Sequence, residues 1–339
     1  RVSSEHQEVI IGPDQPVVII GERINPTGRK KLAEALERGD MVFVQEDAIK
    51  QVRAGAQILD VNVGISGSDE SALMIEALQA VLEVVRVPLC IDSANPKVLA
   101  AGLGAYPGKA LVNSVNGEEA KLKEVLPLVA EHKAAVVALT MDDRGIPTDV
   151  STRLAIAEKI VDEAARLGIP PEDVVVDPLA MSVASDDQAG AGALAALAQI
   201  RDKLGVNQTI GASNISYGLP ERREVNGVFL ALAVLSGLTC PITDPSLWPI
   251  RRTLLLTDLF LGKDEFAMAS DAYENQLGYY DYFGPKRGRI WYHNVGSGAI
   301  AMIGADLDGD GKAALIVGTE MGHVHAIDAE RNRLFLADV

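Results

Sequence analysis

ILDVNV, residues 58–63, sets the pattern from which the fold is read. Its apolar residues alternate with Asp60 and Asn62, so on a strand both polar side chains share one face. The run is short and otherwise apolar, as expected of a strand buried on both faces. Runs of the same kind recur on either side: VVIIGE (17–22), PLCID (88–92), ALVN (110–113), AVVALTMD (135–142), DVVVD (173–177), TIGASN (209–214) and PITD (241–244). Each closes on a polar residue, in order Glu22, Asp92, Asn113, Asp142, Asp177, Asn214 and Asp244.

Segments with helical spacing lie between the runs. Leu154, Ala157, Val161, Ala164 and Leu167 form one stripe, opened by Thr148 or Ser151 and stopped by Gly168. Ser68 is expected to cap a helix carrying Met74, Leu78, Val81, Leu82 and Val85, and Asn116 with Glu119 to open one carrying Leu122, Val125 and Val129. Strand and helix alternate eight times between about Val17 and Lys263, which implies parallel strands with right-handed crossovers. Eight units favour a closed α/β barrel of the (β/α)8 TIM type over an open doubly wound sheet, and no GxGxxG follows the first strand.

The sequence changes character near residues 265 to 285. From there YYDYFGP, GRIWYHNV, AIAMIGADLDGDG, AALIVGT and HVHAID read as short strands joined by glycine-rich turns. The expected organisation is therefore a barrel over residues 1–270 and a short β-rich C-terminal appendage over 271–339.

Composition narrows the function. The chain has 339 residues, 48% of them hydrophobic, and a net charge of −16, so no basic stripe is available for a phosphate backbone and nucleic acid is not an expected partner. The longest apolar stretch, GVFLALAVLSGLTCPI from Gly227, is shorter than a membrane span, and it reads as a buried helix running into a strand. No secretion signal is visible, and Cys90 and Cys240 sit in apolar runs as reduced, buried thiols; the expected compartment is the cytoplasm.

Catalytic groups of such a barrel stand at the carboxyl ends of its strands. Any one polar strand end alone reads equally well as a helix cap, but eight together form a set. Asp92, Asn113, Asp177 and Asn214 offer carboxylates and amides, with no His, Ser or Cys nucleophile among them. A carboxylate accepts two parallel N–H bonds from a guanidine-like edge, and an amide both donates and accepts. A 2-amino-4-oxo pterin presents that edge.

Six strings stand in register with one family: GERINPTG (21–28), DVNVG (60–64), DSANP (92–96), VNSVN (112–116), DPL (177–179) and GASNIS (211–216). From about Val17 to Ala267 the chain resembles the methyltetrahydrofolate:corrinoid-protein methyltransferases, including the folate domain of cobalamin-dependent methionine synthase. The resemblance implies a pterin-binding barrel that moves the N5 methyl of methyltetrahydrofolate to or from the cobalt of a corrinoid carried by a partner protein, and a homodimer. It also implies that Asp92, Asn113 and Asp177 hold the pterin ring, that Asn214 reaches N5, and that Glu22, Asn25, Asp60 and Asn62 support them. An asparagine has no proton to give at neutral pH, so Asn214 is expected to stabilise the charge developing at N5, with Asp177 helping to relay a solvent proton.

Two competing functions are weighed. A dihydropteroate synthase would carry a Ser-Arg-Lys-type motif near the seventh strand and Arg-x-His near the last, where this chain has GASNIS and PITD. A non-catalytic folate-binding subunit would not require an amide aimed at a reacting nitrogen. In the tail, DLDGDG resembles a calcium loop and the loop of one FG-GAP-type propeller blade, with Asp306, Asp308 and Asp310 as ligands; Ala314 and Val317 stand where further acids are usual. His323 and His325 alternate on a strand with Glu320 as the one nearby acid, and they read as surface residues rather than a metal site.

Overall fold

The computed structural model describes residues 1–65 and 67–263 in full and, beyond them, only the backbone of strands within 270–338. Asp306, Asp308, Asp310 and Glu320 lie outside the described residues, as do the side chains of His323 and His325. Contacts divide the chain into two compact units, Arg1–Thr257 and Asp258–Val339.

The first unit is an eight-stranded parallel barrel. Its strands are β1 (Ile20–Ile24), β2 (Ile58–Asn62), β3 (Leu89–Asp92), β4 (Leu111–Asn116), β5 (Ala135–Leu139), β6 (Val174–Asp177), β7 (Asn207–Gln208) and β8 (Ile242–Thr243). They pair in chain order, β8 returns to β1, and the last seam closes through a parallel bridge between Gly211 and Ile242. The Ile242 amide donates to the Ile210 carbonyl there at 3.0 Å.

The period-2 alternation of each strand builds two layers. Leu59, Val61, Leu89, Ile91, Val112, Val136, Ala138, Val174 and Val176 face the helices in one apolar cluster. Ile20, Ile58, Cys90, Leu111, Ala135, Val137, Val175 and Cys240 fill the barrel interior in another. Inward positions nearer the carboxyl ends then turn polar, at Asp60 and Asn62 on β2, Asp92 on β3 and Asn113 on β4.

The helices between are α1 (Lys30–Glu37), α2 (Val42–Arg53), α3 (Glu70–Val84), α4 (Pro96–Ala105), α5 (Glu119–Glu131), α6 (Val150–Arg166), α7 (Ala189–Leu204), α8 (Arg222–Ser236) and α9 (Trp248–Phe260). Several local expectations are corrected. Asp69, not Ser68, caps α3 by accepting from the amides of Ser71 and Ala72, because the Ser68 hydroxyl is taken by the Ile65 carbonyl. Asp149, not Thr148 or Ser151, caps α6 through the Thr152 amide at 2.8 Å. The buried stripe of α6 is Arg153, Ile156, Ala157, Ile160 and Ala164; it keeps Ala157 and Ala164 of the expected one, Leu154 and Val161 are only partly buried beside it, and Leu167 is exposed. β5 ends at Leu139, three residues before Asp142.

An N-terminal hairpin, Val2–Ser3 paired antiparallel with Glu8–Val9, belongs to no expected element. Val2, Val9 and Ile11 join the cluster that fills the barrel interior. Beyond the last turn of α9, the described residues of the second unit form antiparallel strands: a three-stranded sheet of Ser270–Asp271, Gln276–Asp281 and Gly288–Asn294, and a four-stranded one of Ala299–Ala305, Ala314–Thr319, His323–Ile327 and Arg333–Asp338.

Candidate active site

Strand register aligns Asn62 with Asp92 and Asp92 with Asn113, so three adjacent strands present one polar row at their carboxyl ends. Asp60 lies one inward step below that row. The Asn62 amide donates to Asp92 Oδ2 at 2.9 Å, and the Asn113 amide donates to Asp60 Oδ1 at 3.1 Å. Asn62 Oδ1 accepts from the Gly64 amide at 2.9 Å, which fixes the carboxamide so that its NH2 points at the carboxylate.

Burial drives both carboxyls of the row upward, and Asp60 much further than Asp92, because the Asp92 charge adds to its burial. Hydrogen bonds from Asn62 and Asp60 oppose the rise at Asp92. A cleft of about 460 Å³ opens beside it, lined by Thr27, Asn62, Gly64, Asp92, Ser93 and Asn95 among others.

Asp177 stands across the barrel at the end of β6. It is 6% exposed, and burial pushes its carboxyl up to about 7. Three features work against burial: the Leu179 amide donating to Oδ1 at 2.7 Å, the charge of Arg153, and the Gly211 amide. Arg153 is itself buried on α6, held by the carbonyls of Pro147 at 2.8 Å and Leu179 at 3.1 Å.

Asn214 is not at a strand end, as the sequence suggested. β7 stops at Gln208, and Asn214 closes a single 3-10 turn, Ala212–Asn214. Its side chain is exposed, and among the described residues its carboxamide meets no hydrogen-bonding partner. The residue before it is anchored: Ser213 Oγ donates to Glu22 Oε1 of β1 at 2.7 Å. Burial raises the Glu22 carboxyl, the Ser213 hydroxyl lowers it, and the Asp244 charge raises it again.

Asn25 follows β1 and turns its Oδ1 onto the Thr27 amide at 2.9 Å, so that oxygen serves the local turn. Asp244 pairs with Arg23 at 3.5 Å and accepts from Ser246. Asp142 stays outside the constellation. It lies beyond β5 and is forked by its neighbour Arg144 at 2.7 Å, both ends of the pair being set by the turn from Asp142 to Gly145. Among the described residues no group of three or more His, Cys, Asp or Glu side chains is placed to hold a metal ion.

The model of one family, the pterin binding enzymes, matches residues 21–244, which spans β1 through Asp244. The chain belongs to the pterin-binding enzymes. This pterin-binding enzyme is 33% identical over 254 residues to the methylcorrinoid:tetrahydrofolate methyltransferase of Eubacterium limosum, a match covering 73% of this chain and 92% of that protein. It is also 33% identical over 258 residues to the methionine synthase of Mycobacterium tuberculosis, of which it spans 22%. Among solved structures, dihydropteroate synthase from Xanthomonas albilineans in complex with 7,8-dihydropteroate superposes with a TM-score of 0.54 at 19% identity, over 74% of this chain and 95% of that one. At that identity the likeness speaks for the barrel alone.

Arg153, Ser213 and Arg222 escaped the reading of the sequence. For Arg153 a signal was available: it falls on the same helical face as Ile156, Ala157, Ile160 and Ala164, and an arginine on a buried stripe needs a buried acceptor. Ser213 and Arg222 gave none, because their contacts depend on a loop conformation that no periodicity encodes.

Proposed function

We propose that this pterin-binding enzyme is a methyltransferase that moves the N5 methyl group between methyltetrahydrofolate and the cobalt of a corrinoid held by a partner protein, in the cytoplasm. The observation that carries the reading is the strand-end row of Asn62, Asp92 and Asn113, in a chain 33% identical to a methylcorrinoid:tetrahydrofolate methyltransferase over 92% of its length. In this reading Asp92, Asn113 and Asp177 grip the guanidine-like edge and ring nitrogens of the pterin. Asp60 and Asn62 orient them, Glu22 and Asn25 support the mouth, and Asn214 faces N5.

The chemistry asks for little covalent help from the protein. As the N5–CH3 bond breaks, the methyl passes to the reduced cobalt and N5 keeps the electron pair, which a proton then takes up. The chain supplies orientation and a dipole where charge changes. Asn214 suits that task, since its carboxamide is committed to nothing else among the described residues. The test is transfer of methyl from methyltetrahydrofolate to a cobalt(I) corrinoid, followed by absorbance. Pterin binding without transfer overturns the proposal, and incorporation of p-aminobenzoate would move the chain to the synthase reaction.

Affinity should depend on pH through Asp177. Its carboxyl titrates at about 7 in the folded protein, and it grips a guanidine-like edge only as the carboxylate. Affinity is thus expected to be flat above pH 7 and to weaken about tenfold per pH unit below it. Calorimetric titrations across this range should show the slope in the parent and lose it in Asp177→Asn; a parent without a slope removes Asp177 from the grip. The same shift means that the folded chain binds a proton the unfolded chain lacks between about pH 4 and 7, so stability of the free protein falls with rising pH over that window.

A homodimer belongs to the same reading. An apolar groove of about 610 Å³ runs between α7 and α8, lined by Val183, Leu194, Ile215, Val228, Phe229 and Leu232 among others; Val228 in it is 64% exposed and Leu235 of the same helix 57%. Exposed apolar patches of this kind mark association surfaces. Light scattering is expected to give twice the mass of the chain, and Leu232→Glu to halve it; a parent that runs as a monomer at micromolar concentration excludes the dimer.

A further inference from the structure

The turn that carries Asn214 is held from both sides at the residue before it. Ser213 offers its hydroxyl to Glu22 on β1 at 2.7 Å and its carbonyl to Arg222 Nη2, at the first residue of α8, at 2.8 Å. Arg222 Nε also donates to Ser216 Oγ at 3.1 Å, and its guanidinium lies over the Tyr217 ring, 5.9 Å from the centroid. Ser216 is fully buried, and its hydroxyl gives the guanidinium a fixed second anchor.

These contacts join β1, distant in sequence, to the turn after β7 and the start of α8 that follows it. Hydrogen bonds with an ionised partner are short and directional, and two on one residue fix both its side chain and its peptide plane. Among the described residues the Asn214 carboxamide has no partner of its own, so its direction is inherited from the backbone that Ser213 and Ser216 hold. A loose turn would let the amide swing away from the reacting nitrogen, and small misplacements of this kind lower rates steeply.

We propose that Ser213, clamped between the Glu22 carboxylate and the Arg222 guanidinium, is the positioning residue that aims Asn214 at the reacting atom. This rests on the methyltransferase reading above. Ser213 touches no substrate in it, so its removal should act on turnover and not on ring binding.

The experiment compares the parent, Ser213→Ala and Ser213→Thr in methyl transfer to a cobalt(I) corrinoid, with binding of methyltetrahydrofolate measured separately. Ser213→Ala is expected to lower kcat roughly 10- to 150-fold, the worth of one hydrogen bond to a charged group, with the dissociation constant within about twofold. Ser213→Thr keeps the hydroxyl and is expected to recover most of the rate. An unchanged kcat in Ser213→Ala, or an equal loss of rate and affinity, overturns the clamp. Amide hydrogen exchange at residues 213–217, on the same proteins without substrate, should speed up in Ser213→Ala and return in Ser213→Thr. Should the parent itself transfer no methyl, the methyltransferase reading falls on that ground. The exchange data then judge the clamp separately, and unchanged exchange overturns it too.

Discussion

Asn214→Ala is expected to lower the rate of methyl transfer roughly 100- to 1000-fold while leaving the affinity for methyltetrahydrofolate within about threefold, the pattern of a donor that acts only on developing charge. The side chain is exposed and, among the described residues, unpartnered, so its truncation removes nothing the fold relies on. In the proposed reading, ring binding belongs to other groups. Asp177→Ala should show the opposite split, because it deletes the buried carboxylate proposed to accept from the pterin edge and leaves Arg153 without the charge it faces. An affinity loss of roughly 30-fold or more is expected there, the range for one buried charge-assisted contact. Single-turnover transfer measured beside equilibrium binding separates the two. If both variants lose rate and affinity in equal measure, the division of labour between grip and reacting nitrogen is wrong.

The parts of this site that the sequence exposed share a cause. Asp60, Asn62, Asp92 and Asn113 ride on strands, where a period of two and pairing between neighbours convert position in the run into position in space. ILDVNV therefore announces both its inward face and the height at which that face turns polar. Asp177 follows the same rule at the end of β6. Asn214 and Asp142 do not, since each lies beyond the last paired residue of its strand. There a polar residue is placed by turn hydrogen bonds: Asp142 is spent on its own turn and Arg144, whereas the Asn214 side chain is left unengaged among the described residues. Helix starts were misjudged for a related reason. Ser68 and Asp69 are adjacent candidates for one cap, and only the loop path decides that the Ser68 hydroxyl is already used.

The N-terminal hairpin left no trace in the pattern, yet removing residues 1–11 is expected to have the largest effect on stability. Val2 is fully buried, and Val9 and Ile11 are each 7% exposed, in contact with the cluster containing Ile20, Ile58, Leu111 and Val175 that fills the barrel interior. The hairpin backbone is stitched to the barrel as well. The Ser3 amide donates to the Lys109 carbonyl at 2.9 Å, Tyr106 Oη to the Ser3 carbonyl at 3.0 Å, and Asn207 Nδ2 to the Ile11 carbonyl at 3.2 Å. Full burial of an aliphatic side chain is worth about 1.5–3 kcal/mol, so losing three and wetting the apolar interior beneath them rivals a whole domain stability of about 5–15 kcal/mol. The truncated chain should therefore lose its helical dichroism at room temperature or aggregate. Graded variants keep the claim testable if it does. Val2→Ala removes two buried methyl groups and is expected to cost about 2 kcal/mol, lowering the melting temperature by about 4–8 °C. Gly108→Ala should act at the same seam by a different route, because a Cβ at Gly108 would stand 2.1 Å from the Ser3 carbonyl oxygen and would have to push the hairpin away. A truncated chain that melts within about 2 °C of the parent would show that the barrel closes without the hairpin.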